Sequence, residues 1–173
     1  YDEIHADGAV TSWWSRRHVN NSQRAVVEDR FGLAPWEQLL ADQRVWRDGF
    51  GNVLPPVYDP PRDRWPSPPA ERVQVTLKFP VPVAPGEEWT TTGSETAPGV
   101  VRKDARFTYR RIGDYAEDNL VARKVRLPQG ARIVSVTPVP STRFEADGFQ
   151  YLTWRRYYAK GERFPLEIIY TID

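Results

Sequence analysis

The two histidines are the residues with the most distinctive chemistry, and both fall within the first 18 positions. His5 stands beside Asp2, Glu3 and Asp7, and imidazole with carboxylates is a ligand set that zinc accepts. Such a site needs ligands held in a preset geometry, which a short polar terminus does not supply. His18 could serve a serine triad, but the chain contains no nucleophile-elbow motif. We predict neither a metal site nor catalysis here.

Other enzyme signatures are also missing from the sequence. The chain contains no cysteine, which excludes disulfides, thiolate ligands and a thiol nucleophile. It has neither of the glycine-rich loops that cradle nucleotide phosphates, so no cofactor is predicted. Paired carboxylates for glycoside hydrolysis leave no spacing in sequence and stay open. We therefore expect a protein that is not an enzyme.

Basic and aromatic residues are mixed in two stretches, 102–111 and 154–160. This mixture can bind nucleic acid through phosphate contacts and base stacking. A net charge of only +1 argues against that partner, and the same mixture is typical of the solvated face of a strand. Exposed aromatic rings can also stack on sugars, which gives a competing hypothesis, a carbohydrate-binding module. Its candidate residues are Trp154, Tyr157 and Tyr158.

Five of the seven tryptophans precede residue 70. Tryptophan and arginine dominate the energetics of protein interfaces because each buries a large area and keeps a polar group. We therefore predict a partner-binding surface in the first part of the chain. Its candidate residues are Trp13, Trp14, Arg16, Arg17, Trp36, Leu40, Trp46 and Trp65. The same tryptophans could instead pack on their own domain, and the sequence leaves both outcomes open.

Seven prolines between Pro55 and Pro69 divide the chain. Proline lacks an amide donor and fixes φ, so this stretch can be neither helix nor central strand. The predicted organisation is a Trp-rich arm at 1–54, a Pro-rich linker at 55–70 and a β-sandwich at 71–173. Polar, Pro-rich segments bury too little surface to offset their chain entropy, so we expect a neighbouring surface to hold the arm.

The arm itself is predicted to be extended with one or two short helices. Asn21 is a suitable cap for a helix over Ser22–Phe31, and Gly32 is a suitable terminator. A second helix is predicted to begin at Pro35 and to end before Gly49.

After the prolines, the hydrophobic period changes to two, which favours strands. Asp147-Gly148 predicts a hairpin turn. Seven or eight short strands in about 100 residues predict a mainly β fold, an Ig-like antiparallel β-sandwich. The predicted strands are 73–79, 88–92, 101–112, 120–127, 132–137, 143–146, 149–154 and 164–172.

One stretch reads LPQGARIVSVTPVP and is followed by the Asp147-Gly148 turn, Leu152-x-Trp154 and a closing alternating strand. Over about residues 123–173 this pattern resembles the β-sandwich domains that recur outside the membrane in bacterial and archaeal membrane-associated proteins. The resemblance implies a fold and an extracytoplasmic location, and it carries over no catalytic residue. A cleaved export signal is one explanation for the missing initiator methionine, and a trimmed chain is another.

These observations together predict a non-enzymatic accessory or structural subunit. We expect it to be periplasmic or at the cell surface, and to dock through its arm onto a membrane-bound complex, for example a respiratory or photosynthetic one. No run approaches 18 apolar residues, so no membrane span is predicted.

Overall fold

The structure is a computed structural model, and it describes residues 1–33, 35–114 and 118–172. The fold is mainly β with several sheets, which confirms the predicted fold class at that level and is consistent with a β-sandwich. The described strands are β1 (Asp2–Ile4), β2 (Ala9–Val19), β3 (Val26–Leu33), β4 (Val45–Asp48), β5 (Pro56–Asp59), β6 (Val73–Val83), β7 (Glu88–Pro98), β8 (Val100–Lys103), β9 (Arg106–Asp114), β10 (Asn119–Arg126), β11 (Ala131–Thr137), β12 (Thr142–Ala146), β13 (Phe149–Tyr158) and β14 (Arg163–Ile172). Helical structure in the described ranges comprises α1 (Pro35–Gln38) and 3-10 turns at Ala41–Gln43 and Arg62–Arg64.

The chain forms two compact units. Unit 1 comprises Tyr1–Ser12 and Thr96–Asp173, and unit 2 comprises Trp13–Glu95. Strands β2 and β7 each contribute residues to both units. The predicted boundaries at residues 54 and 70 do not coincide with this division, because strands from the predicted arm, linker and sandwich all lie within unit 2.

Unit 1 has two layers of strands around one core. One layer has the order β12-β13-β10-β1-β2, and the other has the order β11-β14-β9-β8. Its pairs are antiparallel except that β1 runs parallel to β10. The predicted alternation of the last strand is confirmed, since every second residue of β14 is buried. The buried core residues are Ile4, Val10, Tyr109, Val125, Leu127, Ala131, Leu152, Trp154, Tyr158, Phe164, Leu166, Ile168 and Tyr170.

Two turns in unit 1 follow from residues that accept positive φ. Asp147 and Gly148 have φ of 53° and 76°, and they join β12 to β13 as the predicted hairpin. The single strand predicted over 101–112 is wrong. Asp104 adopts φ of 55° and turns the chain, so β8 and β9 pair with each other instead.

Unit 2 also has two layers of strands. One has the order β2-β7-β4, and the other has the order β3-β6-β5. Side chains from both layers share one core. Its buried members are Leu33, Trp46, Leu54, Val75 and Leu77, and the half-buried residues packed on them are Trp14, Phe31, Tyr58 and Phe79.

The helix predicted over Ser22–Phe31 is wrong, because Val26–Leu33 forms β3. This strand pairs antiparallel with β6, which places Phe31 opposite Val75. Its β-branched valines favour an extended chain, and the burial of Leu33 in the core outweighs the weak local helix signals.

The second predicted helix begins at Pro35 as expected but ends at Gln38. Residues 45–48 form β4 instead, and they pair with β7. The burial of Trp46 explains the difference, because its indole enters the core only if this stretch is extended.

The prolines within strands of unit 2 lie where the strand pairing is incomplete. Strand β6 was predicted to end at Pro80, but it continues to Val83. Beyond Lys78, β6 no longer pairs with β5, and its pairing with β3 is irregular. A proline, which lacks an amide donor, therefore costs little there. In the Pro-rich segment, Pro56–Asp59 forms the edge strand β5, a position that tolerates proline.

Candidate functional site

Trp46, a predicted partner-binding residue, is an internal residue of unit 2. It is only 3% exposed. Its ring lies 4.8 Å from that of Phe31 and 5.4 Å from that of Trp14, centroid to centroid. Trp46 therefore has no surface to offer a partner, and the arm gains burial from its own unit.

Trp14 is half-buried and lies against the backbone of the neighbouring strand. A Cβ atom built on Gly93 would stand 2.4 Å from Cζ2 of Trp14, so only glycine leaves room for the indole. The guanidinium of Arg44 lies 5.5 Å from the centroid of the Trp14 ring. Arg44 Nε also donates to Glu95 Oε2 at 2.7 Å, and Arg44 Nη2 donates to Glu37 Oε1 at 3.1 Å. This buried arginine fixes the indole in place.

Replacing Gly93 by alanine is expected to destabilise the protein at the upper end of about 1–3 kcal/mol, the usual cost of overpacking a core. Neither the strand nor the packed indole can move without disturbing Trp46. The measurement is the free energy of unfolding in urea. Gly49→Ala is the matched control, because its added Cβ meets Thr90 at an ordinary 3.5 Å. Equal stabilities of the two variants would contradict this account.

The other predicted arm residues are divided between internal and exposed positions. Trp65 is half-buried, and its indole N–H donates to the Pro60 carbonyl at 2.9 Å. Its ring stands 5.1 Å from that of Tyr58, so the Pro-rich segment is held by its own side chains. Leu40 is half-buried.

Three charged or aromatic arm residues remain exposed. Arg17 makes a two-pronged ion pair with Glu88. Arg16 lies 5.0 Å from the centroid of the Phe31 ring. Trp13 is 41% exposed. The side chain of Trp36 lies outside the described part of the structure.

The predicted sugar-stacking residues do not share a surface. Trp154 and Tyr158 are buried in the core of unit 1, with rings 6.2 Å and 5.5 Å from that of Phe164. The indole N–H of Trp154 donates to the Pro138 carbonyl at 2.9 Å. Tyr157 points to the opposite side of the strand and is 58% exposed. Adjacent residues of β13 alternate between faces, so these three cannot form a platform.

The histidines make ordinary structural contacts. A ring nitrogen of His5 is 2.8 Å from the Thr11 hydroxyl, and His18 stacks on Trp89 at 4.9 Å between centroids. Within residues 1–33, 35–114 and 118–172, no group of three or more histidine, aspartate or glutamate side chains could hold a metal ion.

A polar cluster around Asp2 lies within unit 1. The Asp2 carboxylate accepts hydrogen bonds from the Ser12 hydroxyl at 2.7 Å, from the Tyr109 hydroxyl at 2.9 Å and from Arg123 Nη1 at 3.2 Å. Arg111 Nη1 is 3.9 Å away. Burial opposes ionisation, but the Arg111 and Arg123 guanidiniums and the Ser12 hydroxyl outweigh it and hold the pKa of Asp2 below its ordinary value. The Asp2 carboxylate is therefore occupied by donors of the same unit, and the cluster stabilises the fold.

The outer side of strands β10, β12 and β13 carries a surface that the sequence reasoning did not single out. We call it the aromatic–cation face, and it comprises Lys124, Arg126, Phe144, Phe149 and Tyr151. Phe144 is opposite Tyr151 in the register, and their rings stack at 4.9 Å with an interplanar angle of 7°. Lys124 Nζ is 4.7 Å from the Tyr151 centroid, and Arg126 Cζ is 4.5 Å from the Phe149 centroid.

The alternation of β13 accounts for this face. Leu152, Trp154 and Tyr158 enter the core, so Tyr151 and Tyr157 point outward. Phe144 is 43% exposed. The period of two in residues 149–158 was the sequence signal that could have located these outward rings.

The edge of this sheet is protected against pairing with another strand. On β12, Arg143 and Glu145 alternate with Phe144 and both hydrogen bond to Gln150. Charged side chains on an edge strand disfavour the addition of a further strand. The aromatic–cation face therefore offers its side chains rather than its backbone to a ligand.

A second exposed feature is the hairpin of unit 2 that follows β4. The Asp48 carboxylate accepts hydrogen bonds from the amide of Phe50 at 2.9 Å and from the amide and side chain of Asn52, both at 2.8 Å. Burial opposes ionisation of Asp48, but these bonds outweigh it and keep its pKa below the ordinary value. Phe50 stands at the tip and is 92% exposed.

The sequence matches no protein-family model and no curated protein. Within the described ranges, no helix is long and apolar enough to cross a bilayer. In the part of the chain that the structure describes, the aromatic–cation face and the hairpin after β4 are exposed features that a ligand could meet.

Proposed function

We propose that this chain is a non-enzymatic accessory or structural subunit that docks onto a membrane-bound protein complex through the aromatic–cation face. The observation that carries the proposal is the exposed stack of Phe144 on Tyr151 with Lys124 beside it. Aromatic residues and arginine are enriched at protein interfaces, and they supply most of the binding energy there.

The face is ordered before any partner arrives. Lys124 lies against the rings of Tyr1, Phe144 and Tyr151. Arg126 lies against Phe149 and pairs with Glu3. A long side chain that is already restrained loses less conformational entropy on binding. This preorganisation favours a specific partner over a loosely bound one.

The arrangement of the rings favours a protein over a sugar. Phe144 and Tyr151 stack one ring face on the other, which leaves less open ring face for a sugar. The cations remain able to donate to acceptors at the surface. Lys124, Arg126 and Arg155 project from this side of the sheet, and Glu3 is the acidic residue paired with Arg126. A partner surface rich in carboxylates would complement this charge.

The remaining parts of the proposal have separate support. The two packed layers of unit 1, antiparallel apart from the β1–β10 pair, support the finer assignment of an Ig-like sandwich. The resemblance of residues 123–173 to extracytoplasmic domains supports a periplasmic or cell-surface location. From the predicted arm, Trp13 and Arg16 stay candidates for contact with the same complex because they are exposed.

The test is recovery of the complex from membranes of the native host with a Lys124→Glu, Phe144→Ser variant as bait. We expect the variant to bind its partner about thirtyfold more weakly, which corresponds to loss of about 2 kcal/mol from a hot spot. Quantitative mass spectrometry of co-purified membrane proteins measures the loss.

The matched control is Lys103→Glu, Val101→Ser, which makes the same kinds of change on exposed β8 of the same unit. It should retain the partner at the wild-type yield. Both variants should also match the wild type in urea unfolding. Undiminished recovery by the Lys124→Glu, Phe144→Ser variant would refute this docking surface.

A further inference from the structure

The tip of the unit 2 hairpin presents an apolar side chain on a rigid support. Phe50 is 92% exposed and lies between two glycines, of which Gly51 has a φ of +88°. The Gly51 amide donates to the Asp48 carbonyl at 3.0 Å, and the Asp48 side chain holds Phe50 and Asn52. The ring is therefore held away from the unit by the backbone rather than left there by disorder.

The exposed residues of this hairpin include two valines and an arginine beside Phe50 and the neutral Asn52. Val45 and Val53 are 39% and 57% exposed, and Val53 bridges to Arg47 on the opposite side of the hairpin. Arg47 is exposed, and its Nη1 donates to the Gly51 carbonyl at 2.9 Å, which holds the guanidinium near the tip. The hairpin's one acidic residue, Asp48, is buried at 7% exposure and turns its carboxylate into the loop.

We infer that this tip inserts Phe50 into the interface of a lipid bilayer that carries anionic headgroups. An apolar ring with a flanking cation is the combination that peripheral proteins use at this interface. The ring enters the boundary between headgroups and acyl chains, Val53 adds apolar surface behind it, and Arg47 faces the phosphates. This inference is independent of the aromatic–cation face and needs no protein partner.

The positive charge near the tip favours an anionic lipid surface over a cleft in a protein as the binding partner. The inward turn of Asp48 removes the carboxylate that anionic headgroups would repel, and Arg47 remains in reach of phosphate. A single ring with a neighbouring valine gives an anchor weaker than one lipid chain, which by itself binds only reversibly. The tip therefore serves to orient a protein at the surface rather than to fix it there permanently.

The first experiment is co-sedimentation of the full chain with vesicles of phosphatidylcholine and phosphatidylglycerol at low ionic strength. Phe50→Ser is expected to lower the vesicle partition coefficient about tenfold, the effect of losing burial of one phenyl ring. Arg47→Gln should lower it about fivefold and reduce its dependence on salt. Val139→Ser changes an 84% exposed valine of unit 1 and should leave partition unchanged.

The second experiment reports which part of the protein meets the lipid. The chain has no cysteine, so a single cysteine can be labelled with an environment-sensitive nitrobenzoxadiazole dye without background. We expect a blue-shifted, brighter emission on addition of vesicles for Val53→Cys and no change for Val139→Cys. Equal partition of wild type and Phe50→Ser, or an aqueous emission at position 53 while the protein sediments, would overturn the inference.

Discussion

Replacing Trp46 by alanine is expected to cost about 3–5 kcal/mol of folding free energy. The indole is 3% exposed and is surrounded by core residues of both layers, so its removal leaves a cavity that fixed backbones cannot close. The substitution also removes the ring against which the Trp14 indole packs. The Arg44 guanidinium, whose centre is 6.0 Å from the Trp46 ring, loses the same contact. For a domain of ordinary stability this is a large share of the total.

The measurement is urea unfolding followed by far-ultraviolet circular dichroism, because the substitution itself changes the tryptophan fluorescence. Phe50→Ala is the matched control, since it removes an aromatic ring of the same unit that makes no core contact, and it should shift the stability by less than about 0.5 kcal/mol. Amide hydrogen exchange should show that strand β6 loses its protection in Trp46→Ala. A variant as stable as the wild type would mean that Trp46 is not the centre of the core.

The residues that could be read from the sequence are those with a strict local period. The alternation in residues 164–172 and the Asp147-Gly148 turn correctly predict β14 and the β12–β13 hairpin. Both depend only on neighbours in the chain, because strand alternation and turn chemistry are local properties.

The residues that could not be read depend on distant partners. Trp46 shares its core with Val75 and Leu77, which lie about 30 positions further along the chain, and no local pattern predicts that contact. From composition alone, residues 1–54 are expected to bury too little of their own surface to stay ordered. Several of these residues are nonetheless buried, because β6 joins one layer of unit 2 and β7 joins the other. Trp46 is therefore unavailable to a partner, whereas docking through the exposed arm residues stays a prediction.

The aromatic–cation face and the Phe50 tip differ in how far the sequence predicts them. Tyr151 and Phe149 follow from the period of β13, so the face could have been located once the core side was chosen. Phe50 carried only a weak signal, a phenylalanine between two glycines. Its exposure depends on the hydrogen bonds of Asp48, which sequence cannot show.

Substitution of Asp2 by asparagine is the second change with a large expected effect. It keeps the size of the side chain but removes the anion that faces Arg111 and Arg123 within the cluster. Removing one partner of a buried ion pair commonly costs about 3–5 kcal/mol. We expect the lower end of that range, because the arginine side chains are 27% and 18% exposed and keep some water. Glu145→Gln, an exposed acid of the same unit, is the control and should change little.

The pH dependence of this difference identifies the charge as its cause. The pKa of Asp2 is lower in the folded chain than its ordinary value, so the unfolded chain binds the proton more readily. The stabilisation is complete above about pH 4 and is lost as the pH falls through the folded pKa. Urea unfolding at several pH values should therefore show wild type and Asp2→Asn far apart at pH 7 and converging in acid. A gap of constant size from neutral to acid pH would show that packing, and not the ionised carboxylate, maintains the cluster.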